Sequence, residues 1–194
     1  MLQSFRGIGF IRGARQFGQY LQKGQHINSG IGPCLIFDAN TMVEYVMPTI
    51  TFDTELEVRV QGVLLRLLHA PGETDDQIVV HLPEKRLLCA ADNIYKAFPN
   101  LYAIRGTPTR DAKQWANSLE LMKRCGAEYL VPSHTQPLVG QTIIAETFDA
   151  YRDAVLFVHD QTVRLMNKGY FVDDIVPVVT LPQHLKEHPY LQVR

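Results

Sequence analysis

The chain has 194 residues, 46% of them apolar and 20% charged, with a net charge of −1. That length supports one domain with a proper core, or one domain plus a small appendage. The near-neutral balance gives no reason to expect a nucleic acid or an anionic membrane as partner, since both select basic surfaces. No run approaches the roughly 18 apolar residues of a membrane helix. The opening MLQSFRGIGFIRGARQ carries arginines inside its apolar part and does not read as a signal peptide. Cys34, Cys89 and Cys125 are far apart and odd in number, which argues against a disulfide framework and a paired-cysteine metal knuckle. A cytosolic soluble protein with no membrane span is the expectation.

Residues 1–30 combine a helical spacing (Phe10, Ala14, Phe17, Leu21) with many glycines, a density that suggests surface-crossing loops. The pattern changes near Ile50. Leu56, Val58 and Val60 alternate, Gln61-Gly62 can turn, and the run from Val63 to Leu68 is mostly apolar. The run from Ile78 to Leu82, the turn Pro83-Glu84-Lys85 and the run from Leu87 to Ala90 complete an antiparallel meander. A helix follows from Asp111 to Cys125, with Ala112, Trp115, Leu119 and Met122 on one face and a stop at Gly126. Tyr129-Leu130-Val131-Pro132 reads as a short strand that delivers Ser133-His134-Thr135.

Beyond Gly140 the spacing of Phe148, Tyr151, Val155, Val158, Thr162 and Leu165 predicts a long amphipathic helix ending at Gly169. Asp173-Asp174 can cap a second helix, and Leu181-Pro182 opens a third segment. The shift from α/β to helical character places a domain boundary between residues 1–144 and 145–194.

Three polar groups stand directly after strand-like runs: Glu73, Asp92 and His134. A rigid sheet can aim short loops at one point, so function gathers at strand ends. Hard oxygens with one imidazole make a plausible metal shell. Taken singly, each residue has an ordinary structural explanation as a turn carboxylate, a cap or a loop histidine. Their order is what raises the signal. Two decoys carry less. HLKEH (His184 to His188) fits an HxxEH zinc-peptidase pattern, but Pro182 and Pro189 leave it barely two turns of helix. The glycines of INSGIGPC lack the lysine of a phosphate-binding loop. His69 and His81 are read as core or supporting residues.

The segments PGET (71–74), LPEKRLLCAADN (82–93) and LVPSHT (130–135) resemble the second half of the metallo-β-lactamase fold. Glu73, where most of that superfamily has histidine, resembles its alkyl sulfatase branch. The block from Asp92 to Trp115, DNIYKAFPNLYAIRGTPTRDAKQW, is similar to the same branch. So is YRDAVLFVHDQTVRLMNKGY (151–170), which looks like the start of that branch's helical dimerisation domain. The likeness covers roughly residues 10–190.

The resemblance implies an α/β fold, the second half of an αββα sandwich, followed by a helical dimerisation segment. It implies a zinc-dependent hydrolase in which hydroxide on the metal attacks an alkyl sulfate ester, a small-molecule substrate, within a homodimer. Glu73 would bind one zinc, His134 the other, and Asp92 would bridge them, where many alkyl sulfatases carry glutamate. Arg105 would hold the sulfate, with Arg110 a second candidate, because a planar guanidinium offers paired donors to a tetrahedral oxyanion. The family's remaining ligands come from an HxHxDH motif, and no HxH occurs in this chain. Three ligands do not serve two zinc ions. The expectation is therefore a fragment that is inactive alone. Two alternatives stand beside it: a metallo-β-lactamase-fold hydrolase of lactones, thioesters or β-lactams, and a non-catalytic dimerising fragment.

Overall fold

The structure is a computed structural model, and it describes residues 11, 12, 14–16, 18, 20–22, 24, 25, 46–102 and 109–192. Every strand and helix labelled below belongs to one compact unit, Phe52–Leu101 with Arg110–Arg194; a second unit takes residues 1–51 and 102–109. In that second unit residues 11, 12 and 14–16 are helical and Ala14 is buried. Phe10, Phe17, Cys34 and the INSGIGPC glycines fall outside the described residues.

Six strands form one sheet in chain order: β1 (Glu55–Val60), β2 (Val63–His69), β3 (Ile78–Leu82), β4 (Leu87–Ala91), β5 (Tyr129–Pro132) and β6 (Leu138–Val139). All neighbours are antiparallel except β4 and β5. The expected meander is therefore present, and its one parallel pair follows from the connection. The chain leaves β4, builds helix α1 (Ala112–Arg124) and returns, as a parallel crossover requires.

The side-chain period of two puts Leu68, Val79, Leu88 and Leu130 on one buried face. Register aligns them across the sheet, Leu68 opposite Val79 and Leu88 opposite Leu130. Helix α1 covers that face with Trp115, Leu119 and Met122, all fully buried. Helix α2 (Gln141–Met166) adds Ile144, Phe148 and Tyr151 to the same core, and Leu185, Tyr190 and Leu191 close it. Past Ala154 the character of α2 changes. Val163 and Met166 are exposed there, as are Phe171, Val172 and Val176 around the short helix α3 (Val172–Ile175). HLKEH holds only the single-turn helix α4 (Gln183–Lys186). Among the described residues no helix is long and apolar enough to cross a membrane.

Helix α1 starts where its cap dictates. The Asp111 carboxylate accepts from the Lys113 and Gln114 amides at 2.9 and 3.0 Å, two of the four amides a helix start leaves unpaired. Asp111→Ala is expected to cost about 1 kcal/mol of stability. Urea unfolding that shows no loss would remove the cap from this account.

Candidate metal centre at the strand ends

The PGET turn leaves β2 and is pinned from below by one buried side chain, Asn93. Its Oδ1 accepts the Glu73 amide at 3.2 Å and its Nδ2 donates to the Ala70 carbonyl at 2.6 Å. The Asn93 carbonyl accepts the Trp115 indole N–H at 2.9 Å, and Ser118 Oγ donates to the Pro71 carbonyl at 2.7 Å. Gly72 is needed for this closeness: a Cβ there would stand 2.3 Å from Asn93 Oδ1 and 2.9 Å from Trp115 Cδ1. His69 braces the far side of the loop by donating from Nε2 to the Asp75 carbonyl at 2.7 Å. His81 lies in the core, and burial first, then the neighbouring Arg66 charge, push its pKa down.

Asp92 and His134 emerge from the parallel pair β4 and β5, whose ends are tied by the Ser133 amide donating to the Ala91 carbonyl at 3.0 Å. The ladder carries a register shift between Cys89 and Ala91, and Ala91 sits at φ 48°. Thr135, just past His134, sits at φ 70°. Non-glycine residues rarely adopt that left-handed region, and such strain gathers where a side chain must be aimed. The aim brings His134 Nε2 to 3.4 Å from Asp92 Oδ1. The Tyr95 ring meets His134 edge-on at 6.5 Å between centroids, and the Lys96 amide donates to Thr135 Oγ1 at 3.3 Å.

Glu73 turns its carboxylate to Arg110, whose side chain is only 6% exposed. Arg110 also donates to the Asn100 carbonyl and lies 6.0 Å from the Trp115 ring centre. The Asn100 amide in turn donates to Tyr95 Oη at 2.9 Å. The Tyr95 phenol registers the neighbourhood. Burial raises its pKa most, the Asn100 amide lowers it, and the Glu73, Arg110 and Asp92 charges all act on it.

The structure thus brings Asp92 and His134 together and gathers Glu73 and Arg110 around the same tyrosine. It does not assemble three ligands: among the described residues no group of three or more His, Cys, Asp or Glu side chains is set to hold a metal ion. Arg105 lies outside the described residues. The donors still fit a cation. Asp92 Oδ1 is buried, and no hydrogen-bond donor among the described residues satisfies it. Two ligands each about 2.1 Å from a tetrahedral zinc stand about 3.4 Å apart, which is the separation Asp92 and His134 already have.

Asn93, Gly72 and Tyr95 carry no metal-ligand signature, and sequence reasoning did not single them out. The available signals were a polar residue closing an otherwise apolar strand end and the only tryptophan in the chain, Trp115.

The fold is a six-stranded mixed sheet packed against helices, with Glu73, Asp92 and His134 just beyond its strand ends. The family model of the metallo-beta-lactamase superfamily matches residues 31–134. The chain belongs to that superfamily, in its alkyl sulfatase branch. It is 37% identical over 186 residues to a linear primary-alkylsulfatase of a Pseudomonas species, covering 94% of this chain and 35% of that protein. It is 33% identical to the alkyl/aryl-sulfatase BDS1 of Saccharomyces cerevisiae, covering 91% of this chain and 28% of that one. The solved stereoselective inverting sec-alkylsulfatase Pisa1 from Pseudomonas sp. superposes with a TM-score of 0.82 at 27% identity, over 95% of this chain and 30% of that one. The chain thus spans about a third of the length of the curated relatives it matches.

Asn93→Ala would strand the buried Ala70 carbonyl and the Glu73 amide. The expected loss is about 2 to 6 kcal/mol, at 1 to 3 for each orphaned group. Gly72→Ala should also destabilise, through the clash. Denaturant midpoints equal to the parent's in both variants would refute the pinning of the turn.

Proposed function

We propose that this chain supplies one part of a zinc site that hydrolyses alkyl sulfate esters. The observation that carries the reading is the Asp92–His134 pair at chelating separation, with a buried Asp92 oxygen that has no hydrogen-bond donor among the described residues. The alkylsulfatase names of its relatives supply the substrate class.

Asp92 and His134 would hold metal, with Glu73 beside them. Zinc supplies Lewis acidity and lowers the pKa of bound water when present. The chain's own residues set the electrostatics around it. A sulfate ester is an anion and would be repelled by Glu73 and Asp92 unless cations offset them. Arg105 would meet the sulfate with paired N–H donors. Tyr95 would keep the His134 ring from turning away.

The test measures sulfate released from a medium-chain alkyl sulfate in the presence of zinc. A protein carrying this sequence behind an HxHxDH segment is expected to turn over and to bind zinc. Arg105→Ala in it should lower kcat/KM about a hundredfold or more while leaving lactone or thioester hydrolysis little changed. The 194-residue chain alone is expected to be inactive. Equal losses on every ester class, or turnover unaffected by zinc removal, would overturn the sulfatase reading.

The helical region after residue 144 would serve as a homodimer contact. Val158, Met166, Phe171, Val172 and Val176 line an open apolar groove of about 550 Å³, and exposed apolar surface of that kind favours a cover. Light scattering should then give the mass of two chains. A Phe171→Asp variant that leaves that mass unchanged would argue against the groove as the contact.

A further inference from the structure

We infer that Arg110 is a positioning residue, which fixes the Glu73 carboxylate for metal rather than meeting the substrate. The inference rests on the metal reading proposed above and deepens it.

Arg110 was a candidate sulfate ligand by sequence. In the fold both of its terminal guanidinium nitrogens already donate to the protein. Nη2 donates to Glu73 Oε1 and Nη1 to the Asn100 carbonyl, while the Trp115 ring lies 6.0 Å away. With 6% of its side chain exposed it offers little surface to a dissolved ester. A substrate anion would compete with the part-buried Glu73 carboxylate for it, and separating such a pair leaves both charges less compensated.

The contacts also explain what Arg110 does. Glu73 has its amide fixed by Asn93 and its carboxylate fixed by Arg110, so both ends of the residue are held. Asn100 is held through both of its backbone groups, its carbonyl by Arg110 and its amide by the Tyr95 hydroxyl. Tyr95 in turn edges onto His134. One guanidinium therefore connects Glu73, through the 92–100 loop, to the two residues that lie at chelating separation. Hydrogen-bond partners that orient metal ligands commonly set affinity by about 10- to 100-fold.

The opposite effect is also physical, because a fixed positive charge beside a cation site repels the cation. The closing experiment decides between them. Zinc and cobalt(II) affinities are measured by calorimetry, and the cobalt absorption spectrum is recorded, for the 194-residue chain and for Arg110→Met, Arg110→Lys and Glu73→Gln. Arg110→Met is expected to weaken both metals about tenfold and to alter the cobalt spectrum. Arg110→Lys should fall between, since an ammonium cannot bridge Glu73 and Asn100 with a planar fork. In the Glu73→Gln background, Arg110→Met should cause no further loss.

Unchanged or tighter metal binding in a folded Arg110→Met or Arg110→Lys variant overturns the positioning role and leaves the metal reading intact. A full additional loss in the Glu73→Gln background overturns it as well. A parent sequence that binds neither metal even when carried behind an HxHxDH segment overturns both. Circular dichroism guards the comparison, and Arg110→Lys, which keeps charge and stem, carries it if Arg110→Met does not fold.

Discussion

The Asn93 amide is the contact on which the candidate site depends. A turn that leaves a central strand exposes backbone groups that must find partners once they are buried, and each one left without a partner costs about 1 to 3 kcal/mol. Asn93 supplies an acceptor to one side of the PGET turn and a donor to the other, while its own carbonyl is held by Trp115. The only residue that admits an amide so close is Gly72. Position and partner are thus mutually exacting: the glycine lets Asn93 in, and Asn93 then sets where Glu73 leaves the turn.

That dependence explains why some of the fold was legible in the sequence and some was not. Strands β2 to β4 and helix α1 announce themselves, because apolar period and turn residues are local and Asp111 caps where a cap is needed. The two-residue β6 has too few side chains for any period, and it exists because β5 offers it an edge. Glu73, Asp92 and His134 could be marked as strand-end residues within a family resemblance. Which of them meet is a tertiary fact. Asp92 and His134 meet because β4 and β5 run parallel. Glu73 faces Arg110, 37 residues away, a pairing no spacing rule predicts. Asn93 read as an ordinary turn residue because an amide's worth lies in what surrounds it.

Backbone strain accompanies the same strand ends. Ala91 and Thr135 both occupy the left-handed region, one immediately before Asp92 and the other immediately after His134. A non-glycine residue held there costs on the order of 1 kcal/mol or more, a cost that Gln61 and Arg86 carry as well in turns of the same sheet. The strained positions bracket the two side chains that approach each other, so the strain and the approach have a common origin in the β4–β5 register shift.

Charge gives the last step. Glu73 and Asp92 place two carboxylates around the half-buried Tyr95, with the Arg110 charge opposing them and the His134 ring beside Asp92. Arg110 is spent on Glu73 and the Asn100 carbonyl, so it does little for Asp92. His134 is largely exposed and makes only a 3.4 Å approach. Asp92 Oδ1 is therefore a buried oxygen with no hydrogen-bond donor among the described residues. A protein keeps a carboxylate oxygen out of water without a donor only where something cationic repays its desolvation. The position of that oxygen, more than the identity of any one ligand, is what supports the proposed metal ion at these strand ends.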